Sequence, residues 1–245
     1  MTARGSLALV VAFTAFWVIA LPLDRATTEP QQQLLGLAAW AFLIAALVRQ
    51  PPGVRAQVIV LVCVATALEI VGSVVWRAYV YRLENLPLYV PAGHGLFYLA
   101  ALHASSLPLL ARNAHRVVTA VGLLSTVWMA WGLLRPPVPD MLGFVTWAIF
   151  IRFLARGRYP LLYSVSFVMT MALEVYGTRL GIWTWAPLLP GLWLPAGNPP
   201  TGIGAGYAAM DALSRRILGT VIAKRPLRAR RAGSLEPASD EPAAA

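Results

Sequence analysis

Charged side chains are scarce in this chain. Asp, Glu, Lys and Arg make up only 12% of its 245 residues, whereas a soluble globular domain is usually about one quarter charged. This scarcity excludes an ordinary soluble fold. Hydrophobic residues account for 58% of the chain, in runs of roughly 17–22 residues, which are long enough for a helix to cross a bilayer. The sequence therefore predicts an all-α, polytopic membrane protein.

Cysteine is nearly absent as well, since the chain contains a single one, Cys63. It lies in an apolar run, so neither a disulfide framework nor a cysteine metal cluster is expected. The sequence also lacks a Walker loop, a nucleophile elbow and the HExxH and CxxC motifs, and we expect no metal and no cofactor. The net charge is +10, but no basic patch with interleaved aromatic residues occurs, so no nucleic-acid partner is expected.

Eight apolar segments are predicted to cross the membrane, separated by gaps that contain Pro and Gly. With a cytoplasmic N-terminus, fifteen Lys and Arg residues fall on the inner side and five on the outer side. This bias predicts that both termini are cytoplasmic. The expected location is the plasma membrane of a bacterium. The segment that follows the last span is basic and then acidic, which predicts a disordered tail over residues 224–245. The spans cover approximately residues 5–23, 33–48, 56–76, 95–111, 117–134, 138–155, 159–180 and 200–222.

An internal duplication relates the two halves of the chain. The phrase "LGLAAWAFLIAALVR" from Leu35 matches "LGFVTWAIFIRFLAR" from Leu142 at seven of fifteen positions, with an offset of 107. Two further matches follow in the same order: "ALE..G" at an offset of 105 and "PAG" at an offset of 104. The chain is therefore predicted to be two four-helix repeats, residues 1–111 and 112–223. Four is an even number, so the repeats would be parallel and related by an axis along the membrane normal.

Ionisable side chains inside the predicted spans are the main candidates for function, because a charge in a bilayer costs roughly 3 kcal/mol or more. Glu69 and Glu174 occupy equivalent positions in the two repeats. In a site of low dielectric, one carboxyl group can stay protonated and donate a proton while its neighbour accepts one. The alternative is structural: each carboxylate accepts hydrogen bonds from the loop that follows it.

His94 and Asp211 complete the set of candidate catalytic residues. His94 follows "PAG" in the first repeat and could bind Glu69. Asp211 could be a third carboxylate of the same site, although Arg215 lies one turn later, so an ordinary ion pair along the helix is the alternative. The candidate substrate-binding residues are Asn198, Arg179, His103, Tyr207, Trp183 and Trp185.

Some of these residues also have simpler interpretations. Asn198 precedes Pro199 and resembles a helix N-cap. Arg179 could extend to the membrane interface, and the tryptophans could belong to an interfacial aromatic belt. The aromatic residues in the loop after each glutamate, Tyr79 and Tyr81 among them, have the same belt interpretation, with pocket lining as the alternative.

A glutamate on a span, then a glycine, then "WTW" and a proline-bearing loop together resemble small polytopic enzymes of carotenoid and terpenoid metabolism. These are the carotenoid hydratases, the membrane lycopene cyclases and the membrane-integral terpene cyclases. The resemblance covers roughly Glu69–Gly93 and Glu174–Pro200. It implies chemistry on an isoprenoid in which a membrane carboxyl group protonates an alkene and the cation is cyclised or hydrated.

The expected function is therefore that of an integral membrane enzyme that acts on an isoprenoid or another membrane lipid, with Glu69 and Glu174 as its acid–base pair. Two alternatives stay open. Parallel repeats with polar groups near the middle of the membrane suit a small transporter with alternating access. The chain could also be a non-catalytic partner of another membrane enzyme.

Overall fold

The computed structural model describes residues 2–135 and 138–233, with side chains described up to residue 220. Helices dominate this part of the chain, which confirms the predicted helical fold class. Two short strands, β1 (Tyr79–Tyr81) and β2 (Trp183–Trp185), lie between the helices. The α-helices are α1 (Ala3–Arg25), α2 (Glu29–Leu47), α3 (Pro52–Glu69), α4 (Tyr89–Ser105), α5 (Pro108–Arg112), α6 (Ala114–Leu134), α7 (Met141–Arg156), α8 (Pro160–Leu180) and α9 (Gly206–Gly233).

Two helices are extended by segments of different geometry. α3 continues directly into a π-helix, Ile70–Val75, and a 3₁₀ turn, Ile203–Ala205, precedes α9. The segment 224–245, predicted as a tail, overlaps the end of α9, and residues 234–245 lie outside the described residues.

Local sequence signals mark where several helices begin and end. Pro52 and Pro160 occupy the first turns of α3 and α8, where the missing N–H of proline has no helical partner to lose. The Asp140 carboxylate caps α7 by accepting a hydrogen bond from the backbone N–H of Gly143. Gly181 ends α8 with φ of 71°, a left-handed conformation that glycine adopts without strain.

Five of the described helices are long and apolar enough to cross a membrane: α1, α2, α3 with its π-helical extension (Pro52–Val75), α6 and α8. Two others, α4 and α7, are shorter, at 17 and 16 residues. Large apolar side chains also cover the outside of the bundle. On α6, for example, Leu123, Leu124 and Val127 are 65%, 68% and 67% exposed. Such a surface suits lipid better than water, so the fold supports the predicted integral membrane protein.

The core is centred on α4, which packs against α1, α2, α3 and α8. Its residues Leu96 to Ala101 are all fully buried, as expected of a helix that is apolar on every side. In the second half of the chain, α6, α7 and α8 pack against one another, and α9 packs on α3 and α8. The contacts of α3 and α4 with α9 and α8 therefore join the two halves.

The two strands pair in antiparallel fashion, with Tyr79 opposite Trp185, Val80 opposite Thr184 and Tyr81 opposite Trp183. β1 follows the π-helical end of α3, and β2 follows α8. The pair therefore connects the ends of the two helices that carry the paired glutamates.

Candidate functional site

A cavity of about 300 Å³ lies between α1, α3, α4, α8 and α9, next to the β1–β2 pair. Glu69 from α3 and Glu174 from α8 both line it, together with His94 from α4 and Tyr207 from α9. Most of the remaining lining is apolar or aromatic, and none of the described lining residues is Lys or Arg. The tertiary structure thus brings both predicted glutamates to one site.

Glu69 accepts hydrogen bonds from three side chains. The hydroxyls of Tyr79 and Tyr81 donate to its Oε2 at 2.7 and 2.9 Å, and Nε2 of His94 lies 2.9 Å from its Oε1. The side chain of Glu69 is only 12% exposed, so these donors replace the water that an ionised carboxylate would otherwise need. Glu69 is therefore equipped to stay in the charged form.

Both tyrosines are held in the protonated form. Burial and the adjacent Glu69 carboxylate raise the pKa of Tyr79 and of Tyr81 well above the usual value for a phenol. A protonated phenol next to a carboxylate acts as a donor. Tyr79 and Tyr81 therefore donate to Glu69 throughout the physiological pH range.

His94 joins Glu69 to Tyr207. Its Nδ1 lies 2.8 Å from the Tyr207 hydroxyl, while its Nε2 faces Glu69. In a neutral imidazole one nitrogen donates and the other accepts, so with Nε2–H directed at the carboxylate, Nδ1 accepts from Tyr207. Phe97 stacks on the Tyr207 ring at 4.0 Å between centroids, which fixes the far end of this chain of hydrogen bonds.

Glu174 has a different set of partners. Both Nε1–H groups of Trp183 and Trp185 donate to its Oε2, at 2.8 and 3.0 Å. An indole N–H can only donate, so Oε2 is an acceptor in either protonation state of the carboxyl group. Among the described residues no hydrogen bond reaches Oε1 of Glu174, which leaves this oxygen available to a ligand in the cavity.

The strands explain why two aromatic residues converge on each glutamate. Side chains two residues apart on a strand point to the same face, so Tyr79 and Tyr81 both reach Glu69, while Trp183 and Trp185 both reach Glu174. The rings also contact each other across the strand pair: the centroids of Tyr79 and Trp185 are 4.6 Å apart.

A glycine after each glutamate makes room for the first of these rings. A Cβ atom on Gly177 would lie 2.0 Å from the Trp183 ring, and one on Gly72 would lie 3.2 Å from the Tyr79 ring. The glycine of the "ALE..G" phrase therefore lets the ring from the following strand pass close over the helix backbone to reach the glutamate. The two loops differ in length by one residue, because Glu69 precedes Tyr79 by ten residues whereas Glu174 precedes Trp183 by nine. The π-helix after Glu69 accounts for this difference, since its wider turn contains one more residue than a turn of α-helix.

Asp211 does not line this cavity. It is buried elsewhere on α9, where it accepts hydrogen bonds from the hydroxyls of Tyr98 and Tyr163 and from Nε of Arg215, the last at 2.8 Å. Asp211 thus lies outside the lining of this cavity and forms the ion pair along α9 that the sequence offered as the alternative. Tyr98 lies on α4 and Tyr163 lies on α8, so the hydrogen bonds of Asp211 connect α9 to both of these helices.

Three predicted substrate-binding residues also lie away from the cavity lining. Oδ1 of Asn198 accepts a hydrogen bond from the backbone N–H of Trp185 at 3.1 Å. Asn198 is not a helix cap, because the next helical turn begins at Ile203 without a side-chain cap. His103 binds Ser6 and Gln50 near the other end of α4, and Arg179 is exposed. Asn198 thus supports the site only indirectly, by holding β2.

Tyr207, Trp183 and Trp185 do line the cavity, as do Tyr79 and Tyr81, which sequence reasoning assigned mainly to an interfacial belt. The signal for their role was present: "YVY" and "WTW" follow the two glutamates at nearly the same distance.

Asp140 is a buried carboxylate for which no sequence pattern predicted a role. It accepts hydrogen bonds from the backbone N–H groups of Gly143, Gly197 and Thr201 and from the Thr201 hydroxyl. It thereby ties the loop between β2 and α9 to the start of α7. Its separation from Gly197 along the chain is too large for any local pattern to reveal the contact.

Within the described residues, no group of three His, Cys, Asp or Glu side chains is arranged to hold a metal ion. The chain matches no protein-family model, no curated protein and no solved structure. The chemistry of the cavity is therefore the basis for assigning a function.

Proposed function

We propose that the protein is an integral membrane enzyme that carries out acid–base chemistry on an isoprenoid or another membrane lipid, with Glu174 as the acid and Glu69 as the base. The observation that carries this proposal is the unequal bonding of two carboxyl groups in one apolar cavity. Glu69 has three donors, whereas Glu174 keeps one oxygen without a partner among the described residues.

Glu174 suits the role of proton donor. Its Oε2 is occupied by two indole N–H groups, so a proton on this carboxyl group is carried by Oε1. A substrate alkene in the cavity would then take this proton: the O–H bond breaks, the π electrons form a new C–H bond, and the neighbouring carbon becomes a cation. The indoles stabilise the carboxylate that remains, because hydrogen bonds to a charged acceptor are the stronger ones.

Glu69 suits the role of proton acceptor. Three donors favour its ionised form, and a carboxylate near the cation can remove a proton from an adjacent carbon to restore a double bond. The result is an isomerised or cyclised product, and capture of the cation by water gives a hydrated one. No oxidant or reductant is needed. The proton passes back to Glu174 before the next cycle, and His94 with Tyr207 provides exchangeable hydrogens beside Glu69.

The position of the cavity supports a substrate that arrives from the membrane. Leu68 on α3 and Ala209 on α9 line the cavity and are also exposed on the outside of the bundle, Leu68 to 51%. In the proposed topology this opening of the cavity would face lipid. An apolar chain can enter there without passing through water.

The predicted topology belongs to the same proposal. Helices α1–α4 and α6–α9 would form the eight spans, as two parallel four-helix repeats with cytoplasmic termini. The pairing of β1 with β2 supports this arrangement. By sequence offset, Tyr79 corresponds to Trp183 and Tyr81 corresponds to Trp185. In the strand pair Tyr79 lies opposite Trp185 and Tyr81 lies opposite Trp183, which is the pattern that a local two-fold axis between the strands produces.

A purely structural role for both glutamates has less support, because Glu174 lines the cavity with one oxygen that no described residue binds. The test is lipid profiling of a deletion strain complemented with wild type, Glu69→Gln or Glu174→Gln. A glutamine keeps the acceptor oxygen for the indoles but cannot donate the proton, so we expect loss of the product at normal expression. Glu84→Gln, which removes an exposed carboxylate outside the cavity, is the matched control. Restoration of the wild-type lipid profile by both cavity variants would rule out the acid–base role.

A further inference from the structure

We propose that the cavity binds lipophilic organic cations, in particular ammonium ions that carry an apolar chain. The inference rests on the proposed function, since such an ion resembles the carbocation that protonation of an alkene would create. It adds a class of ligand that can be tested without knowledge of the natural substrate.

The charge of the cavity favours a cation. Glu69 and Glu174 both line it, and none of the described lining residues is Lys or Arg. The basic side chain among them, His94, is bonded to Glu69 and Tyr207. A positive ligand therefore meets a site whose charge is of the opposite sign, in apolar surroundings that weaken the interaction far less than water does.

The aromatic lining favours a cation that forms no hydrogen bonds. The polar hydrogens of the four aromatic residues are already donated to the two glutamates, by Tyr79 and Tyr81 to Glu69 and by Trp183 and Trp185 to Glu174. A ligand would therefore contact their rings. All four residues line the cavity, and aromatic rings recognise quaternary ammonium groups through the negative potential of their faces.

The shape of the cavity favours a cationic head group with an apolar chain. At about 300 Å³, the cavity lies at the lower end of the range of roughly 300–1,000 Å³ for small-molecule sites. A head group and the first part of a chain fill it. The rest of the chain leaves beside Leu68 and Ala209, the exposed residues of the lining.

A site built to stabilise a carbocation binds a stable cation of similar shape more tightly than the neutral molecule, because catalytic sites are complementary to the charge of the transition state. A trimethylammonium group has the tetrahedral shape of a tert-butyl group and differs from it by one positive charge. A comparison of these two groups therefore shows how much the positive charge contributes to binding.

The experiment measures equilibrium binding of radiolabelled N,N,N-trimethylgeranylammonium to the full-length chain in a neutral detergent. Its neutral isostere, with carbon in place of nitrogen, competes in the same assay. We expect the cation to bind at least about tenfold more tightly than the isostere. Equal affinities for the two ligands would overturn the proposal, and this comparison needs only the wild-type protein.

Variants locate the site. Glu69→Gln combined with Glu174→Gln should reduce the preference for the cation several-fold but leave binding of the isostere unchanged, whereas Glu84→Gln should behave as wild type. An unchanged preference in the double variant would place the cation elsewhere and overturn the proposal.

The lipid profiles separate this inference from the proposed function. Loss of product in Glu174→Gln without any cation preference in the wild type would refute the cation site but not catalysis. A cation preference that depends on both glutamates, together with lipid profiles that depend on neither, would support the cation site and refute catalysis.

Discussion

At the scale of single residues, the two glutamates are held by donors of different chemistry. The phenols at Glu69 can lose their protons, whereas the indoles at Glu174 cannot. Burial and the Glu69 carboxylate raise the pKa of Tyr81 in the folded protein, while in the unfolded chain it ionises near 10. The contribution of the Tyr81 hydrogen bond to the free energy of unfolding therefore falls at alkaline pH, whereas the contributions of the Glu174 hydrogen bonds do not.

This difference predicts how stability responds to pH. Above pH of about 10 the unfolded chain releases the Tyr81 proton and the folded protein keeps it, so the free energy of unfolding falls as pH rises. Tyr81→Phe should reduce this fall by at most about 1.4 kcal/mol per pH unit. Thermal unfolding in detergent between about pH 8 and 11 measures it. Trp185→Phe, which removes one donor from Glu174, should leave the alkaline slope unchanged; equal slopes in wild type and Tyr81→Phe would contradict the assignment.

At the scale of elements, each glutamate site is a helix end joined to a short strand. The strand can return over the helix only because a glycine lies three residues after the glutamate. The ring lies closer to the glycine at the Glu174 site than at the Glu69 site. A Cβ atom on Gly177 would lie 2.0 Å from the Trp183 ring, whereas one on Gly72 would lie 3.2 Å from the Tyr79 ring. The two glycines therefore form a natural pair for comparison.

Gly177→Ala should displace the Trp183 indole from Glu174. We expect it to destabilise the protein by about 1–3 kcal/mol, the usual cost of overpacking, and to reduce the lipid product. Gly72→Ala should have a smaller effect, because its closest contacts need to move by only a few tenths of an ångström. Unfolding temperatures in detergent and lipid profiles of the two variants provide the comparison. Equal effects of both substitutions would argue against the close approach at Gly177.

At the scale of the whole molecule, the proposed topology places the loop between β2 and α9 outside the cell and the start of α6 in the cytoplasm. Trp193, which is 76% exposed in that loop, and His115, which is exposed near the start of α6, are suitable positions for single cysteines. The natural Cys63 would first be replaced by serine.

A membrane-impermeant maleimide should label Trp193→Cys in intact cells. It should label His115→Cys only after the cells are made permeable. This pattern follows from eight spans with both termini in the cytoplasm, because an even number of spans precedes His115 and an odd number precedes Trp193. Labelling of His115→Cys in intact cells would contradict the combination of a cytoplasmic N-terminus with four spans before His115.

Sequence patterns were enough to predict the helical fold, the apolar character of the helices and two glutamates in matching sequence phrases. These features depend on composition and on patterns within short segments, so they can be recognised without knowledge of the contacts. The same local patterns could not determine which side of α9 Asp211 occupies. Nor could they distinguish tyrosines in a membrane interface from tyrosines that bind Glu69.

Those points depend on the tertiary structure, because they require the pairing and packing of elements that are far apart in the chain. β1 and β2 are three residues each, too short to be recognised alone, and they exist because they pair with each other. Their pairing places four aromatic side chains on two glutamates, and the packing of α9 against α4 brings Tyr207 to His94 and Asp211 to Tyr98. Local sequence supplies the side chains, but the register between distant elements determines which of them meet.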